Sequence, residues 1–297
     1  MLNIELAKPR DFGEIINDTF LFIRQNFKPL LKYFFIFSGF FILASSATTV
    51  LIQIKAIGMV NNFNPNSFEG YNGATSLLSF YVNLLLTLLF IMLEYLSITV
   101  TVLCYMTLYK QKRNTIPTAE EMWGYFKFYF LKALFSSILL YIIIAIGTML
   151  CIIPGIYLYP IMMLVLPIMI VENTSFGYAF NQSFRLIKDN WWATFGVLVI
   201  VFIIIYVASL LVAVPSALLN AGNFFVRLNS KTPVTLPVAI ITTILQEVSH
   251  VFHIITVVAI GLCYFNLSES KEGTSLNERI SQFGTGGPDT NPTPEEY

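Results

Sequence analysis

The longest uncharged run in this chain covers residues 133–171, and a lipid bilayer is the solvent that suits it. Residues 33–54, 70–93, 190–226 and 248–268 form four more runs of 20 or more residues free of Asp, Glu, Lys and Arg. A hydrocarbon core about 30 Å thick takes roughly 20 apolar residues per helical crossing. No water is present there to satisfy backbone N–H and C=O groups, so each crossing must be a helix. Only 11% of the 297 residues are charged and 56% are hydrophobic, whereas soluble domains carry about a quarter charged.

The run 133–171 is too long for one crossing, and Pro154-Gly155 interrupts it with a residue that cannot donate a hydrogen bond and one that tolerates positive φ. Asn61, Asn62, Asn64, Pro65, Asn66 and Ser67 supply turn chemistry after the first run. The expected fold is therefore an all-α polytopic membrane protein with six transmembrane helices arranged as three hairpins. The crossings are placed at about 33–60, 76–109, 133–152, 155–171, 191–218 and 238–267 within one domain, 1–283. Residues 284–297, rich in Gly, Pro, Thr and acids, are expected to be a disordered tail. The first 30 residues carry charges throughout and lack a cleavage pattern, so no signal peptide is expected to be removed.

Charge distribution gives an orientation. Of the 17 Lys and Arg residues, 14 lie on the side shared with the N-terminus, and only Lys55, Arg227 and Lys231 lie opposite. The positive-inside rule then places both termini in the cytoplasm of a bacterial-type cell membrane.

A threefold pattern accompanies the hairpins. Phe12, Ile16, Phe20, Ile23 and Phe27 recur at helical spacing opposite Glu14, Asp18, Arg24 and Lys28. Thr118 and Glu121 form a capping box ahead of Met122, Trp123, Phe126 and Phe130. The third segment sets Phe176, Phe180, Phe184 and Ile187 against Gln182, Arg185, Lys188 and Asp189. Each reads as a cytoplasmic interfacial amphipathic helix preceding a hairpin.

Few ionisable residues fall inside the spans. Glu94 sits near the middle of the second, where an ionised carboxylate costs roughly 2.5–3.5 kcal/mol on insertion scales and must face protein or water. Glu247, His250 and His253 share a face of the sixth, with the Glu-x-x-His spacing that serves carboxylate-bridged metal pairs in helix bundles. A full pair of that kind needs a second such motif, so no metal or cofactor is expected. Glu94, Glu247, His250 and His253 are the candidate intramembrane polar site. Pro154, Pro160 and Pro167 are expected to shorten and kink the fourth helix. Cys104, Cys151 and Cys263 lie in apolar surroundings without metal or disulfide spacing. Phosphate loops, nucleophile elbows, zincin motifs and an aromatic-basic nucleic-acid face are all missing from the sequence.

Several stretches resemble the bacterial integral membrane family named after the membrane domain of glycerophosphoryl diester phosphodiesterases. They are Cys151-Ile152-Ile153-Pro154-Gly155-Ile156-Tyr157, Val171-Glu172, the run Ala179-Phe180-Asn181-Gln182-Ser183-Phe184-Arg185-Leu186-Ile187-Lys188, and Asn190-Trp191-Trp192. Tyr264-Phe265-Asn266-Leu267 with Lys271-Glu272-Gly273 is similar to that family's exit from its last helix. The resemblance implies a stand-alone membrane module without the catalytic barrel, and so no hydrolase activity. The functional expectation is a non-enzymatic membrane protein that organises or anchors a membrane or cytoplasmic protein partner. The alternative is a transporter or lipid-handling protein working through Glu94 and Glu247/His250/His253.

Overall fold

A computed structural model describes residues 4–61, 70–113, 115–150, 152–230 and 236–273. The expected tail 284–297 and most of the 61–73 turn lie outside the described residues. Eight α-helices follow in order: α1 (Phe12–Asn61), α2 (Gly70–Gln111), α3 (Ala119–Leu150), α4 (Ile152–Val171), α5 (Phe176–Ile187), α6 (Trp191–Ser230), α7 (Leu236–His250) and α8 (His253–Glu272). Among the described residues there is no strand. Six stretches are long and apolar enough to cross a membrane: five are α1, α2, α3, α4 and α6, and the sixth is α7 with α8.

The outside of this bundle is greasy. Phe40, Leu43, Leu85, Phe135, Phe202, Leu211 and Leu218 stand exposed, while Thr19, Ser38, Glu94, Ser97 and Thr101 are buried. That arrangement suits a lipid solvent, which makes no demand that apolar side chains be hidden. The chain is a multi-pass membrane protein.

Packing centres on α2, α4 and α8. Tyr105, Met106, Leu103 and Ile98 of α2 are fully enclosed, as are Met162, Leu164 and Ile168 of α4 and Val258 and Leu262 of α8. Two glycines permit the closest helix contacts. A Cβ on Gly261 would stand 2.8 Å from the Met106 side chain, and one on Gly155 would stand 2.2 Å from Thr148 Cγ2, so α8 meets α2 and α4 meets α3 at positions without side chains.

The segments expected to be interfacial helices differ from expectation in their continuity. The first is not separate but forms the start of α1, which bends at Asn26 (φ −110°, ψ 17°). Pro29 causes the bend, because it has no N–H for the Gln25 carbonyl and its ring crowds that oxygen. Asn26 steadies it by donating from Nδ2 to Phe22 O at 3.1 Å and accepting from Tyr105 Oη at 2.7 Å. The second runs straight into α3; only the third, α5, stands alone. Asp18, read as part of a charged outer face, is instead buried. It holds Arg10 Nε at 2.8 Å and Lys8 Nζ at 3.2 Å. Arg10 also donates to the carbonyls of Glu5, Leu6 and Lys8, and its backbone N–H reaches Asn266 Oδ1 at 2.7 Å. This knot fastens the N-terminal segment to α1 and α8.

α4 is one 20-residue helix with Pro160 and Pro167 inside it. The interruption falls in the sixth crossing, between His250 and His253, where a single helix is predicted. Here Phe252 N bonds Ser249 O, Ile254 N bonds Val251 O and Ile255 N bonds Phe252 O, all three-residue steps that tighten the turn. Ser249, His250, Val251, Phe252 and His253 all belong to the weaker half of the helix-propensity ranking, so the ladder gives way at this stretch.

Candidate functional site

The break delivers two imidazoles to the bundle interior from different helix ends. His250 closes α7 and turns toward α2, where its Nδ1 lies 2.7 Å from Glu94 Oε1. Glu247, one turn earlier on α7, brings Oε2 to 3.1 Å from the same nitrogen. One ring N–H cannot aim at both oxygens; the aligned bond goes to Glu94, and Glu247 Oε2 is buried without an aligned partner. α1 contributes the fourth member. Ser45 Oγ donates to Glu94 Oε2 at 2.7 Å, with Glu247 Oε1 at 3.3 Å and the Ile42 carbonyl at 3.0 Å also within reach.

Glu94, Glu247 and His250 each point a ligand-type atom into one spot, all within 4.8 Å of one another. Glu94 is wholly enclosed, with 0% of its surface accessible. Two carboxylates share one imidazole, and no Lys or Arg joins the group among the described residues. Charge is therefore short on the positive side even with His250 protonated, in a region where an unbalanced charge is expensive. The cluster can resolve this by holding an additional proton or by binding a cation. His250 also sits at the C-terminal end of α7, where the helix dipole attracts positive charge.

His253 does not join that cluster, although sequence spacing places it on the same face. It lies one turn further along, still facing α2, where its Nε2 is 3.1 Å from Thr99 Oγ1. Tyr95 stands between the two imidazoles, its ring centroid 5.1 Å from His250 and 4.9 Å from His253. His253 borders a cavity of about 270 Å³ formed by α2, α3, α4 and α8, and another of about 510 Å³ against α6. Both are walled chiefly by apolar and aromatic side chains.

Sequence reading misses Ser45, Tyr95 and Thr99. Ser45, Ser46, Thr48 and Thr49 do form a polar cluster within an otherwise apolar run, and a hydroxyl cluster there should seek a partner helix. Compared with known proteins, the chain matches no family model, no curated protein and no solved structure.

Proposed function

We propose that this protein handles a cation within the membrane, as a carrier whose ion site is Glu94, Glu247 and His250 with Ser45 in support. The observation that carries this reading is the convergence of two carboxylates and one imidazole from two helices, with too little positive charge to balance them. A proton and a divalent metal ion share the chemistry of this site. A proton would be shared among Glu247 and its neighbours; a divalent metal would be held by Glu94, Glu247 and His250, and its binding would release the proton on the His250 nitrogen to water. In this reading both termini face the cytoplasm of a bacterial cell membrane, as the excess of basic residues on that side favours.

Reconstitution tests it. Proteoliposomes holding a trapped pH dye report proton movement, and equilibrium binding of Zn²⁺ or Mn²⁺ to the purified protein reports metal. Glu94→Gln and His250→Ala should each reduce whichever signal the wild type gives by about tenfold or more, the usual cost of disturbing a ligand or its support. Equal signals from wild type and both variants would overturn the ion site.

An organising or anchoring role draws on a different observation: Phe12, Phe20 and Phe27 form an exposed aromatic row on the first turns of α1. Crosslinking from Phe20 in cells should then yield one specific protein, and labelling by lipid alone would count against it.

A further inference from the structure

A second polar feature crosses the greasy bundle. Ser209, Ser216 and Asn220 lie on one stripe of α6 at seven- and four-residue steps, with Ala213 and Ala217 filling the same stripe. The opposite faces of α6 carry Leu211 and Leu218, both strongly exposed and lipid-facing. Gln246 and Ser249 of α7 and Gln53 of α1 face this stripe across a cavity of about 380 Å³. At about 30 Å³ per liquid water, that space holds on the order of ten waters.

Small and polar side chains on three otherwise apolar helices need a reason to converge. Gln53 ties α1 to α7, accepting from Thr242 Oγ1 at 3.4 Å and donating to Thr243 Oγ1 at 3.3 Å. The side chains of Asn220 and Gln246, by contrast, make no hydrogen bond within the described residues. Both amides are exposed, and Asn220 lies just past the crossing expected to end at residue 218; an amide such as Gln246 left without a partner in hydrocarbon costs several kcal/mol, so the favourable solvent for it is water. On α1 the polar stripe continues from Gln53 through Thr49 to Ser45, and on α7 from Thr242 through Gln246 to Glu247 and His250. Both stripes therefore end at the ion site. Past His253 the cavity walls are mainly apolar, with Leu103, Leu166, Val257 and Ile260, and Thr99 and Ser137 are scattered polar members.

We infer that the cleft between α1, α6 and α7 is a water-filled half-channel through which a proton or small hydrated cation reaches Glu247 from the side of the membrane opposite the chain termini. The ion's destination rests on the proposed function; the water-filled cleft does not. A permeant species of this kind is small, inorganic and hydrated, which separates the route from a lipid portal.

Single cysteines decide the matter. In a background with Cys104, Cys151 and Cys263 replaced by Ala, Ser216→Cys and Ser249→Cys probe the cleft, while Val207→Cys and Leu211→Cys, both exposed on the outer face of α6 within the crossing, probe the lipid face. A charged, membrane-impermeant methanethiosulfonate reagent reacts with the thiolate, which forms in water and not in hydrocarbon. Modification of the two cleft positions in liposomes should be faster than that of the lipid-facing controls by about tenfold or more. Labelling after full denaturation confirms that all four thiols are present. Equal rates at cleft and control positions would overturn the half-channel. Fast cleft labelling combined with an unaffected Glu94→Gln would overturn the ion site and leave the channel standing. Slow labelling with flux abolished by Glu94→Gln would do the reverse.

Discussion

Nδ1 of His250 lies 2.7 Å from Oε1 of Glu94, joining the end of α7 to a carboxylate 156 residues away on α2. Whether that contact is an ordinary hydrogen bond or an ion pair is measurable. Neutral hydrogen bonds between membrane helices couple by about 0.6 kcal/mol on average and reach about 1.7 kcal/mol at most. Breaking a buried ion pair by removing one partner costs about 3–5 kcal/mol. The proposed ion site requires an ion pair here. A double-mutant cycle of Glu94→Leu and His250→Leu, followed by unfolding in detergent, should give a coupling above about 1.7 kcal/mol. A smaller coupling would mean that the pair is neutral.

Arg10 offers a separate test at the N-terminal knot. Its side chain is fully enclosed, bonded to Asp18 and to three backbone carbonyls. Arg10→Ala leaves the Asp18 carboxylate buried with only half-exposed Lys8 beside it, and should destabilise the protein by about 3–5 kcal/mol. Arg10→Lys should recover little, since one ammonium cannot reproduce a planar fork that reaches four acceptors. The comparison is made by thermal unfolding of the three proteins in the same detergent.

Asp189, between α5 and α6, supplies a pH test outside the membrane. Lys271 Nζ approaches its carboxylate at 2.8 Å and holds it below the ordinary aspartate value of 3.8, first through a hydrogen bond and then through charge. A depressed carboxylate contributes stability above its unfolded value and loses that contribution as pH falls through the folded value. The contribution is therefore intact near neutrality and disappears only in acid below the ordinary aspartate range. Exposure keeps it small. An NMR titration of the Asp189 carboxyl carbon should show a depressed midpoint that returns to the ordinary value in Lys271→Ala.

The helical membrane architecture is readable from residue type alone because lipid imposes a length and an absence of charge, both of which are local properties of the chain. Glu94, Glu247 and His250 stand out for the same reason. Their meeting is not readable, since it depends on how α2 and α7 pack, and neither residue carries a record of the other. His253 shows the limit of periodicity: a shared face brings it to α2 beside His250, but its position one turn along gives it Thr99 as a partner and not Glu94. Asp18 is similar, because hydropathy assigns a carboxylate to the outside, while Arg10 offers it a buried partner.

Gly155 tests a close contact between α3 and α4. It belongs to the first turns of α4, directly against Thr148 near the end of α3. A Cβ there would meet Thr148 Cγ2 at 2.2 Å and Thr148 Cα at 3.1 Å, so relief requires the two helices to separate or Thr148 to change. Overpacking of this kind costs about 1–3 kcal/mol. Gly155→Ala should be destabilising within that range, measured by unfolding in detergent. Thr148→Ala removes the Cγ2 atom but leaves the backbone contact, so the double variant Gly155→Ala/Thr148→Ala should recover part of the loss and not all of it. Full recovery would place the whole conflict in the threonine methyl, and no recovery would place it in the backbone approach of α3 to α4.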